Sequence, residues 1–188
     1  MTVTIIKNQS NKQDKYVLYQ IIDLMFLKPL SFATLVVLFS LMFIGGYVSS
    51  SGVGLSCPNW PLCPAGLVPM KAFVIEYIHR TVAASTGLLV LATMAFTLHS
   101  KLTSRNVKII SVVAAVLVVG QILLGGIVIV EKLHAVLVTV HLGMGLVLFA
   151  MVLIVARHAY QLDKIGALKT ESATGSIDNR QLNQKSEL

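Results

Sequence analysis

Four apolar runs, at about 31–49, 72–98, 107–130 and 134–156, divide the chain. Each holds about 20 residues or more, and a helix of that length, rising 1.5 Å per residue, crosses about 30 Å of hydrocarbon. Backbone at that depth must satisfy its own hydrogen bonds, so helix is the form each run must take. Hydrophobic residues make up 55% of the 188 and charged residues 12%, which excludes an ordinary soluble domain. The expected fold class is therefore all-α: an integral membrane four-helix bundle.

The chain is basic, with 15 Lys and Arg against 8 Asp and Glu, but the distribution does not suit nucleic acid. Twelve basic residues lie before the first run, between the second and third, or after the fourth; Lys71 and Lys132 are alone in the other two connections, and Arg80 lies inside a run. The positive-inside rule then places both termini in the cytoplasm and turns the first and third connections outward, in a multi-pass protein of the cell membrane.

Residues 1–30 read as a cytoplasmic segment. Within it, "YVLYQIIDLMFL" is too short to span and suits an interfacial helix, with Lys28 and Pro29 turning the chain into the first span. The first apolar run starts too late and is too long for a cleavable signal. Residues 31–158 form the four-span domain, and the polar residues 159–188 read as a disordered cytoplasmic tail. One internal echo stands out: "LMFIGGYV" in the first run resembles "QILLGGIVIV" in the third, and each is followed by a run bearing a histidine. Two helical hairpins of one kind read this way.

Ionisable groups inside spans are costly and mark function by default. Glu76 and His79 are three residues apart and share a helix face; His134 and His141 share one on the fourth run. His79 and His141 each lie seven residues inside their runs, which puts both roughly 10 Å below the outer edge on helices of the same direction. Two imidazoles at matched depth can clamp a planar ligand, as axial histidines hold haem iron. Small residues follow each histidine and leave room for such a plane: Ala83 and Gly87 after His79, Gly145 after His141. The plainer reading is that each histidine bonds to a neighbouring helix. Arg80 suits a carboxylate, from Glu76 or a haem propionate, or else snorkels to the interface. Gln121 suits a ligand or a neighbouring helix. His134 is a second ligand, a proton relay or an interface residue, and His99 and His158 sit at the opposite ends of their runs.

The first connection reads "GLSCPNWPLCPAG" and holds the only cysteines, Cys57 and Cys63. On the outer side a disulfide between them can persist; two free thiols and a working redox pair are the other readings. A metal site is disfavoured, because no second Cys or His pair accompanies them.

Taken together, "GGYVSSSGVGLSCPNWPLCP", "EYIHR", "QILLGG" and "LVTVHLGMG" resemble the haem A synthase family over residues 45–158. Family members oxidise the C8 methyl of haem O to a formyl group, giving haem A for cytochrome oxidase assembly. The resemblance implies His79 and His141 as haem-iron ligands, Arg80 beside the haem, Glu76 as the catalytic carboxylate, and Cys57 with Cys63 as an outward disulfide or redox pair. It implies haem b as cofactor, haem O as substrate, and haem O synthase and a terminal oxidase as partners. Typical members have eight spans in two halves. This chain resembles the half that carries the cysteine loop, which implies a homodimer. A non-enzymatic bis-His membrane cytochrome or haem carrier is the alternative, and a structural subunit of a respiratory complex is the third reading.

Overall fold

The computed structural model describes the backbone of residues 2–56 and 74–186 and the side chains of residues 25–56 and 74–165. Among the described residues four α-helices follow one another: α1 (Thr2–Ser50), α2 (Val74–His99), α3 (Arg105–Val130) and α4 (Ala135–Ser186), with a 3-10 turn at Val53–Leu55. Within them Met25–Ser50, Val74–His99, Arg105–Val130 and Ala135–Ile165 are long and apolar enough to cross a membrane. No strand occurs among the described residues, so the all-α membrane bundle is the fold observed.

Helices α1 and α3 each pack against both α2 and α4, closing a ring around one core of Leu38, Val90, Ala114, Val118, Leu148 and Val152. Large apolar side chains such as Phe43, Leu88, Val116 and Leu146 point outward. With lipid outside as apolar as the core, van der Waals fit rather than apolar burial must hold the helices together.

The hairpins α1–α2 and α3–α4 repeat one pattern. Lys28, Ser31, Leu38 and Gly45 of α1 answer, at one constant interval, to Lys108, Ser111, Val118 and Gly125 of α3. Likewise His79, Val90 and Thr97 of α2 answer to His141, Val152 and Ala159 of α4. Ser31 Oγ donates to the Lys28 carbonyl at 3.0 Å, and Ser111 Oγ to the Lys108 carbonyl at 2.8 Å. Lys28 pairs with Asp163 and lies 5.0 Å over the Tyr160 ring, far along α4 from His141. Lys108 Nζ donates at 3.0 Å to the carbonyl of Leu98, the α2 counterpart of Tyr160. Helix α1 therefore grips α4 as α3 grips α2, and the echo between the two Gly-Gly stretches extends along the whole bundle.

Two expectations differ from the structure. Helix α1 runs straight through Lys28 and Pro29 instead of turning there, and the residues expected to form a separate interfacial helix belong to it. Pro29 removes one backbone donor, a defect that membrane helices tolerate when neighbours compensate. Here Leu27 is buried and Lys28 is anchored to α4, so the helix is held beside Pro29 by packing and an ion pair. Helix α4 in turn continues to Ser186 across the segment whose composition suggested disorder; no proline interrupts it.

Candidate functional site

A cavity of about 670 Å³ opens between the helices beside the α1–α2 and α3–α4 connections. Its size falls in the range of small-molecule sites. His79, in the second turn of α2, and His141, in the second turn of α4, both line it. Each imidazole is backed by a glycine of its own hairpin. A Cβ at Gly45 would stand 3.0 Å from His79 Cε1, and one at Gly125 would stand 3.4 Å from His141 Cε1. The Gly-Gly stretches thus let each histidine ring come close to its neighbouring helix.

Nδ1 of both histidines is buried without a hydrogen-bond partner among the described residues. The plainer reading, a ring satisfied by a neighbouring helix, is therefore not what these rings show. Among the described residues no group of three or more His, Cys, Asp or Glu could chelate a bare metal ion. Two imidazoles lining one cavity suit a metal that brings most of its own ligands, as the iron of a porphyrin does. Ala83 and Gly145 line the cavity as small residues. Gly87 does not; a Cβ there would sit 3.4 Å from Ile122 Cδ1, so it serves α2–α3 packing. The residues present fit a haem.

One side of the cavity is charged. Glu76 is 2% exposed; its Oε1 accepts from Arg80 Nη2 at 2.5 Å and its Oε2 from Ser56 Oγ at 3.0 Å. Arg80 is thus committed to Glu76 rather than to the interface. Removing one member of such a buried pair costs about 3–5 kcal/mol, because the other charge is left alone. The counterparts of Glu76 and Arg80 on α4 are Val138 and Leu142, which also line the cavity. The polar group on that side is Gln121 of α3, whose Nε2 donates to the His141 carbonyl at 2.8 Å, so its partner is the neighbouring helix.

Ser56 was missed by sequence reasoning; its one signal was its place at the edge of the cysteine motif. It follows the turn Val53–Leu55, which packs against Val48 and Leu133, two residues of the cavity wall. Gly54 admits that approach, since a Cβ there would meet Val48 Cγ1 at 3.2 Å and both Leu133 methyls at 3.3 Å. Leu133 and Lys132 hold left-handed conformations, with φ of 61° and 49°, in the opposite connection. His134 is exposed and lies outside the cavity lining, and His99 and His158 lie at the far ends of their spans. Cys57 and Cys63, with the proposed disulfide, lie outside the described residues.

Comparison with known proteins agrees with the motifs. The cytochrome oxidase assembly protein family COX15-CtaA matches residues 68–180. A haem A synthase of Bacillus licheniformis is 31% identical over 140 residues, 73% of this chain and 46% of that protein. A haem A synthase of Exiguobacterium sibiricum is 31% identical over 134 residues, 68% of this chain and 45% of that protein. One of Geobacillus kaustophilus is 27% identical over 155 residues, covering 80% and 49%. The chain spans about half the length of the curated relatives it matches. With residues 68–180 carrying the family pattern across α2, α3 and α4, the chain belongs to the COX15-CtaA cytochrome oxidase assembly protein family.

Proposed function

We propose that the chain is a haem-modifying membrane oxidoreductase of the haem A synthase type, oxidising the C8 methyl of haem O to a formyl group. The observation that carries this reading is the pair His79 and His141, presented from equivalent positions of two repeated hairpins to one cavity. These imidazoles would hold the iron of a haem; when bound, that haem supplies the redox chemistry. The chain's own residues do the rest. Glu76 is fixed by Arg80 and Ser56 beside His79, in a low-dielectric wall. There a carboxylate stabilises positive charge developing at a methyl carbon far better than water does, or accepts a proton released from it. Because Arg80 neutralises the pair overall, the effect is local to the face that Glu76 presents. A simple electron carrier has no use for that acid, which favours the enzyme over a bis-His cytochrome.

A homodimer would place a second copy where the relatives have their other half, with haem b as its complement. The charge bias supports cytoplasmic termini, and the outward connection supports a disulfide between Cys57 and Cys63. A terminal oxidase and the enzyme that makes haem O would be its partners. The test is haem extraction from host membranes with and without the gene. Haem A disappearing while haem O accumulates is the expected result; unchanged haem A sinks the reading.

A further inference from the structure

Among the described residues Gln121 is the one cavity-lining amide, and the repeat does not call for it. Its counterpart on α1 is Leu41, which lines the same cavity from the other hairpin. Gln121 is 9% exposed and lies one helical turn from Gly125, on the His141 side. A backbone carbonyl only accepts, so the group that meets the His141 carbonyl at 2.8 Å must be the NH₂ end of the amide. This fixes the orientation of the side chain and turns Oε1 away from α4.

Among the described residues no donor reaches Oε1. Yet it is not one of the sealed atoms, as Nδ1 of His79 and of His141 are; it opens on the cavity that Gln121 lines. An acceptor that the cavity reaches and no protein donor meets gains a hydrogen bond from an occupant that carries a donor. The ring edge of a haem carries alkyl groups, which offer none, and propionates, which are acceptors when ionised. A hydroxyl on an edge substituent is the donor that remains.

We propose that Gln121 is a specificity residue that selects a porphyrin bearing a hydroxyl on its edge, accepting that O–H at Oε1 while Nε2 stays on the His141 carbonyl. No covalent bond forms or breaks in this step. The proposal rests on the haem reading above and adds a ligand preference to it.

The test compares two probes of one size class: iron haematoporphyrin, with hydroxyethyl groups, and iron protoporphyrin, with vinyl groups at the same places. Each is titrated into the full-length protein and into Gln121→Met and Gln121→Leu, and binding is followed by the Soret difference spectrum. The preference for the hydroxylated probe, taken as a ratio of dissociation constants, should fall about five- to tenfold in both variants, as expected for one hydrogen bond. A ratio equal to that of the wild type overturns the proposal alone. Equal weakening of both probes also overturns it, because Gln121 then only holds α4. A wild-type protein that binds neither probe overturns the haem reading and this proposal together.

Discussion

The α1–α2 hairpin and the α3–α4 hairpin agree in what holds a planar ligand and disagree in what surrounds it. Both place a glycine behind a histidine, and both tie a serine to a lysine carbonyl at the other end of the span. Where α2 has Glu76 and Arg80, α4 has Val138 and Leu142; where α3 has Gln121, α1 has Leu41. A symmetric frame therefore encloses an asymmetric cavity, charged beside His79 and neutral beside His141. The repeated positions are those that any clamp of this shape requires. The positions that broke the repeat are where the chemistry should be sought.

The strongest way to break this comparison is to remove the clamp. His79→Ala and His141→Ala should each abolish the six-coordinate, low-spin haem spectrum of the purified protein. If one variant keeps that spectrum, the two hairpins do not play equal parts. Next in size is the asymmetry itself. Glu76→Gln keeps shape and polarity but removes the charge, and should lower haem A formation about 10²–10³-fold while haem remains bound. Wild-type product from Glu76→Gln would move the chemistry away from the charged side.

The glycines sharpen the comparison further, because the two backs are not equally tight. Gly45→Ala would press a methyl to 3.0 Å from the His79 ring, whereas Gly125→Ala would make an ordinary contact at 3.4 Å from His141. Overpacking costs about 1–3 kcal/mol, so Gly45→Ala should destabilise the haem complex by about that much and shift its Soret band. Gly125→Ala should stay within about 1 kcal/mol of wild type, since alanine also favours helix. Equal effects would mean that both rings can yield.

Much of this was legible before any coordinates. Four spans follow from hydropathy, and the matched depth of His79 and His141 follows from counting along two parallel helices. The Gly-Gly echo was visible as a pattern, but its meaning was not, because which helix face a glycine offers depends on rotation. The same is true of the bonds from Gln121 to the His141 carbonyl and from Ser56 to Glu76, which join residues far apart in the chain. Pro29 misled for a different reason: the rule that proline ends a helix is strongest in water, and Lys28 is instead anchored to Asp163. Gly87 was placed beside the ligand by its spacing from His79, but it sits where α2 meets Ile122 of α3.

The smallest expected effect lies in the half of the bundle away from the cavity. Thr34 and Thr93 bring their hydroxyls within 2.9 Å of each other, buried between α1 and α2. Their counterparts on α3 and α4 are Ala114 and Val155, both buried, so the second hairpin closes at this level without any hydroxyl. Each threonine also reaches the carbonyl one turn back at 2.8 Å, Leu30 for Thr34 and Leu89 for Thr93. A hydroxyl has one proton, so whichever threonine donates across the helices gives up the bond inside its own helix, and the net worth of the pair must be small. Thr34→Ala and Thr93→Val rebuild the first hairpin in the image of the second. In a double-mutant cycle read by reversible unfolding in detergent, the coupling between them should be about 0.6 kcal/mol. A coupling above about 2 kcal/mol would show that the hydroxyl pair, absent from the α3–α4 hairpin, is what holds α1 to α2, and that the hairpins differ in how they are held together as well as in their chemistry.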